Sequence, residues 1–155
     1  MNHRREMLKR SAAVASLLMG AGLLPATALA QVAGYASAAF DAKSMADVMK
    51  ALGASAPAES KDIVLQGPDI AENGAVVPLG ASTALPGVKR MLLLVEKNPS
   101  VLSAMFDFTD AVEPAIGTRV KMGQSSNVYA VAMLNDGRVL FAQKEVKVTL
   151  GGCGG

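Results

Sequence analysis

The chain is poor in the side chains that carry most catalysis. Its 155 residues include one histidine, one cysteine and no tryptophan. The histidine, His3, sits ahead of an apolar run that reads as an export signal, so the processed chain has none. That excludes Ser-His and Cys-His nucleophile pairs and the commonest zinc sets. A lone cysteine excludes an intrachain disulfide. Aromatic residues make up only 4% of the chain, and no Lys/Arg cluster is interleaved with them, so no nucleic-acid surface is expected. No glycine-rich loop stands between a strand and a helix in the dinucleotide pattern. Metal-ligand spacings of Cys, His and acidic residues are also missing. Neither cofactor nor metal is expected. The acidic pairs Asp69/Glu72 and Asp107/Asp110 read as solvated turn carboxylates, and the scattered methionines as core filling. An enzyme with its own active site is hard to build from this inventory.

Residues 1–30 differ in character from the rest. Arg4-Arg5 opens a basic start, Ala12 to Leu24 is apolar, Pro25 ends the run, and Ala28-Leu29-Ala30 supplies a small-x-small cleavage pattern. Cleavage is expected between Ala30 and Gln31. The apolar run is too short and too glycine-rich for a good membrane span, so no membrane anchor is expected. His3-Arg4-Arg5-Glu6-Met7-Leu8-Lys9 resembles the twin-arginine motif S-R-R-x-F-L-K; a Sec signal with a basic start is the alternative. The twin-arginine route carries folded cargo. It implies a periplasmic protein that folds before export, together with any partner lacking its own signal. Arg4, Arg5, Lys9 and Arg10 account for four of the 15 basic residues and Glu6 for one of the 13 acidic ones, leaving 11 and 12 and a net charge of −1. The basic character of the precursor therefore belongs to its signal.

The remaining 125 residues suffice for one domain with a real core. Residues 31–60 read as a helical segment and a linker: Ala39, Phe40, Met45, Val48, Met49 and Leu52 recur at helical spacing. Asp41 or Ser44 is the expected cap and Gly53 the stop. This apolar stretch can dock on a partner or on its own domain. Residues 61–150 read as short strands between turn signals. The strand segments are Ile63 to Leu65, Ala75 to Leu79, Val88 to Val95, Leu102 to Phe108, Arg119 to Met122, Asn127 to Leu134 and Arg138 to Leu150. Val88 to Val95 is the most apolar and the expected central strand. Pro78 suits an edge or a bulge. The spacing predicts a mostly β fold, an immunoglobulin-like antiparallel β-sandwich, with a small barrel as the alternative.

The cysteine stands in Gly151-Gly152-Cys153-Gly154-Gly155. Glycine adopts almost any backbone angle, so residues 151–155 read as a flexible tail holding out one thiol. An odd cysteine in an exported protein points to intermolecular pairing or to a free reactive thiol. An exposed thiol titrates near about 8.5 and is mostly protonated at neutral pH. No Lys or Arg in sequence comes closer than Lys147, so nothing local activates Cys153. A thiol of this kind suits a carrier activated by the enzymes that receive it. Two other readings weaken on the same residues. A thiocarboxylate carrier needs adenylation of Gly155 in the cytoplasm, which the export signal opposes. Prenylation needs a cysteine fourth from the end. An exported interaction module that dimerises through a Cys153 disulfide remains as the alternative.

The exported layout and the terminus Val148-Thr149-Leu150-Gly151-Gly152-Cys153-Gly154-Gly155 resemble SoxY, the sulfur-carrier family of the bacterial thiosulfate-oxidising (Sox) system. The pentapeptide matches the family's GGCGG without departure. The resemblance implies a heterodimer with a small β-rich SoxZ-like subunit that has no signal of its own. It implies that Cys153 is the covalent sulfur attachment site. It also implies three transient partners: the c-type cytochrome complex SoxAX that loads thiosulfate, the hydrolase SoxB that releases sulfate, and the sulfur dehydrogenase SoxCD. The carrier itself catalyses none of these steps.

Overall fold

Two short helices and nine strands follow one another along residues 36–150, the part of the chain described by a computed structural model. The helices are α1 (Ser37–Phe40) and α2 (Met45–Ala51). Ser44 caps α2: its Oγ accepts from the Asp47 amide at 3.1 Å and donates to the Asp47 carboxylate at 2.7 Å. Gly53 ends it, at φ +62°, a left-handed angle that only glycine adopts cheaply. There the Gly53 amide donates to the Lys50 carbonyl at 3.1 Å and the Ala54 amide to the Met49 carbonyl at 2.9 Å, which satisfies two free carbonyls of the last turn.

The strands are β1 (Ala58–Glu59), β2 (Ile63–Gln66), β3 (Ile70–Ala71), β4 (Val77–Thr83), β5 (Val88–Val95), β6 (Leu102–Asp107), β7 (Ala115–Val120), β8 (Ser126–Leu134) and β9 (Val139–Val148). The larger sheet has the order β1-β9-β8-β5-β6, with β3 also on β9; the smaller has the order β2-β4-β7. β1 and β3 run parallel to β9, and every other pairing is antiparallel. The two sheets enclose one core, built from Val77, Leu79 and Ala81 of β4 against Met91, Leu93 and Val95 of β5 and Val128, Ala130 and Ala132 of β8. This is the two-sheet, mostly β sandwich that the strand spacing predicts.

The far face of the larger sheet is covered as well. Leu92, Leu94, Val131, Met133 and Val139 pack with Ala39, Ala42, Val48 and Met49 of the helical segment. β5 is therefore buried on both faces, which explains the unbroken apolar run Met91 to Val95 in place of alternation. The helical segment docks on its own domain, which resolves the choice left open by its sequence.

Four details differ from the sequence-based expectation. β7 spans Ala115–Val120, upstream of the expected Arg119 to Met122. The part of residues 31–60 that follows the Gly53 stop, expected as linker, contains β1, which pairs Ala58 with Leu140 and Glu59 with Phe141. β3 has no counterpart in the expected strands; two residues are too short to show a period. Pro78, expected at an edge, lies in β4, the central strand of the smaller sheet. The expectation holds in a local sense. β2 pairs with β4 only from Gly80 to Thr83, so Pro78 sits beyond the end of β2, and on that side no ladder bond needs its missing N–H.

Candidate functional site

Cys153 and its flanking Gly151, Gly152, Gly154 and Gly155 lie outside the described residues, as do Arg4, Arg5, Ala30 and Gln31 of the export signal. The structure does describe the root from which the cysteine segment leaves the domain. β9 runs to Val148, and Thr149 and Leu150 continue it.

Two residues beyond a strand end are ordinarily free to fray. Here they are hydrogen-bonded, and the strand end before them is held on both sides. On one side the Val148 amide donates to Ser125 Oγ at 2.9 Å. On the other, β3 and the turn after it line the outer edge of β9. The Lys147 amide donates to the Asp69 carbonyl at 3.0 Å, and the Thr149 amide to the Ala71 carbonyl at 3.1 Å. Thr149 Oγ1 donates to the Glu72 carbonyl at 3.1 Å. The Leu150 carbonyl accepts from the Gly74 amide at 2.8 Å, and the Gly74 carbonyl in turn accepts from the Met122 amide at 2.7 Å.

The loops making these bonds are themselves braced. Asn73 Oδ1 accepts from the Ala75 amide at 2.9 Å, a side-chain turn that shapes the backbone presenting Gly74. Asn98 Nδ2 donates to the Lys121 carbonyl at 2.7 Å and Asn98 Oδ1 accepts from the Gly123 amide at 3.4 Å, bracketing Met122. Lys144 reaches from β9 to the Gly67 carbonyl at 2.6 Å and to the Asp69 carboxylate at 2.8 Å. The hydrogen bond from Lys144 and its charge hold the Asp69 carboxyl below the ordinary carboxylate range. Hydrogen bonds from the loop before β8 and from β3 with the turn after it thus converge on three residues, Val148 to Leu150.

All four side chains of the acidic pairs are exposed, as expected of solvated groups, and one of each pair also has a basic partner. Asp69 pairs with Lys144, and Asp107 with the Arg90 guanidinium, whose hydrogen bond lowers the Asp107 carboxyl while the partner's pKa rises. Both partners are distant in sequence, so spacing gave no signal of them. Among the described residues no group of three or more metal-ligating side chains converges.

The family model of the sulfur oxidation protein SoxY matches residues 48–153, from α2 through the root to the cysteine itself. The chain belongs to the SoxY family. The structure of the sulfur carrier protein SoxY from Chlorobium limicola f thiosulfatophilum is similar at 34% identity and TM-score 0.62, with 68% of this chain and 96% of that one covered. A superoxide reductase (neelaredoxin) from Ignicoccus hospitalis aligns at 21% identity and TM-score 0.51, over 56% of this chain and 79% of that one, and shares the fold alone. Among curated protein sequences none matches. Membership of the SoxY family makes the chain a sulfur carrier of the Sox system.

What the sequence left unseen is the clamp. Gly74, Met122, Ser125 and the β3 segment carry no motif, and three of the four loop contacts are backbone groups. The signal present in the sequence was indirect: Asn73-Gly74 and Asn98-Pro99 read as turns, without indication that either faces the carboxyl terminus.

Proposed function

We propose that the chain carries sulfur intermediates covalently on Cys153 in the periplasm and presents them to successive Sox enzymes. The observation that carries this reading is the reach of the family match to residue 153, where the chain's single cysteine stands between glycine pairs.

Loading joins the Cys153 sulfur to the outer sulfur of thiosulfate. The thiol proton goes to solvent and two electrons go to the c-type cytochrome complex SoxAX, leaving Cys153-S-S-SO3−. Water then cleaves the bond between sulfane and sulfonate sulfur in a reaction catalysed by SoxB, releasing sulfate and leaving a persulfide for SoxCD. The carrier contributes attachment and delivery. Tethering keeps each intermediate at a high effective concentration for the next enzyme. The thiol is quiet by itself, and glycines on both sides put no side chain in the way of a narrow pocket. A SoxZ-like subunit is the stable partner, exported together with the folded chain after recognition of Arg4-Arg5 and released from the signal between Ala30 and Gln31.

Intact mass spectrometry of the native complex under thiosulfate turnover tests this directly. The expected result is reductant-labile adducts on the peptide containing Cys153 and none in Cys153→Ser, which loses thiosulfate oxidation. Full turnover by Cys153→Ser would overturn the reading.

A further inference from the structure

We propose that Arg119 and Lys121 form an anion site that holds the sulfonate of the loaded Cys153, docking the chain's own residues 151–155 on its body between visits to the enzymes. The inference rests on the carrier reading above and adds to it a resting place for the charged intermediate.

The end of β7 and the residue after it form one wall of a groove of about 380 Å³, and the turn from β5 into β6 forms the other. Asn98, Ser100, Ser103, Arg119 and Lys121 line it, and no Asp or Glu does. Both cations are exposed. Among the described residues Arg90, Arg138 and Lys144 each pair with a carboxylate. Arg119 is the one described arginine without a partner, and the Lys121 ammonium has none among these residues either. Two cations lining one groove without a counter-charge favour an anion there. The guanidinium presents a planar fork of donors suited to the oxygens of an oxyanion, and the Ser103 hydroxyl supplies one donor more.

The place where the cysteine segment leaves the domain points to its occupant. The Met122 amide donates to the Gly74 carbonyl, and the Gly74 amide to the Leu150 carbonyl. Two strand-like steps, about 10 Å in all, therefore separate Leu150 from the wall that carries Lys121. Cys153 stands three residues beyond Leu150, a reach of up to about 11 Å. The two S–S bonds of Cys153-S-S-SO3− add about 4 Å. The sulfonate thus reaches the groove without any movement of the body. An unloaded thiol is mostly protonated and uncharged at neutral pH, so the cations hold the segment only when it is loaded. Exposed charge pairs are weak one by one. Tethering, however, supplies an effective concentration on the order of millimolar, at which a weak site is still occupied. Docking shields the S–S bonds from stray reductants, and the hold is given up once the sulfonate has left as sulfate.

The test loads Cys153 without any enzyme. In the full complex with its SoxZ-like subunit, tetrathionate converts the thiol to Cys153-S-S-SO3−, releasing thiosulfate and a proton. Dithiothreitol then restores the thiol, releases thiosulfate and is itself oxidised to its cyclic disulfide; intact mass spectrometry follows the rate. Arg119→Ala/Lys121→Ala is expected to lose the adduct about threefold faster than wild type or more, and the gap should close in about 1 M salt. An uncharged methylthio adduct, Cys153-S-S-CH3, should be reduced at one rate in both proteins. Lys97→Ala/Lys147→Ala removes two other exposed cations near the same end of the domain, and its sulfonate adduct should be reduced as in wild type. Positive charge that is merely nearby attracts the dithiothreitol thiolate, so its removal slows reduction. A slower or unchanged rate in Arg119→Ala/Lys121→Ala therefore overturns the dock. Equal acceleration of the methylthio adduct or of the Lys97/Lys147 variant overturns it too. So does loss of the SoxZ-like subunit from Arg119→Ala/Lys121→Ala, since the groove is then the subunit interface. All of these leave the carrier reading standing. That reading falls separately, and takes the dock with it, if wild type under thiosulfate turnover carries no adduct on Cys153.

Discussion

Thr149 and Ser125 show how little chemistry is needed to hold the end of β9. Each supplies one hydroxyl, Thr149 to the Glu72 carbonyl and Ser125 to the Val148 amide. A hydrogen bond of this type contributes about 1 kcal/mol net. Thr149→Val and Ser125→Ala are therefore expected to lower global stability by about 1 kcal/mol or less each, and to speed hydrogen exchange selectively at the amides of Gly74, Val148 and Thr149. Uniform exchange acceleration across the domain, or none at these amides, would contradict the clamp. Ion pairs at residue scale are weaker contributors because they are exposed. The Asp107 side chain is 65% exposed beside Arg90, which limits the pair to about 1 kcal/mol or less. Its carboxyl is held below the ordinary value of 3.8, so its contribution is complete above that value and is lost as pH falls through the lower folded value. Urea midpoints should show Asp107→Asn slightly less stable than wild type at pH 7, with the gap closing in acid below the folded value. A gap that widens in acid would reverse this sign.

At the scale of elements, the helical segment matters more than its length suggests. α2 has seven residues, too few to hold a helix alone. Its stability comes from the Ser44 cap, the Gly53 stop and burial of Val48 and Met49 against β5 and β8. Met49→Ala should cost about 2–5 kcal/mol, the usual range for truncating a buried apolar side chain, measured by urea denaturation. A cost under about 1 kcal/mol would mean that the segment packs loosely. The cap, the stop and the apolar spacing were all legible in the sequence because they are local. The face the helix covers was not, because nothing in residues 36–54 says which sheet waits for it. β3 was invisible for the complementary reason. Its two residues gain meaning only from β9, 77 positions later.

Over the whole molecule the helical segment closes the second face of the larger sheet. A chain lacking residues 36–54 exposes Leu92, Leu94, Val131 and Met133 together. Such a truncation is expected to bind a hydrophobic dye strongly and to aggregate, while the intact chain does neither; equal dye binding by the two would argue against the docked arrangement. By itself the sequence determined the fold class, the run of seven main strands, the caps of α2, the shortage of catalytic side chains and the candidate residue Cys153 in its glycine frame. These follow from composition, from periods of two and 3.6, and from motifs, all of which act over a few neighbouring residues. The tertiary structure alone decided that Pro78 sits in a central strand, that the helices dock on their own sheet, and that Ser125, Glu72 and Gly74 bond Val148, Thr149 and Leu150 in turn, with Met122 bonded to Gly74. Those contacts join loops brought together by strand order in two sheets, and strand order is set by the packing of the whole core rather than by any segment within it.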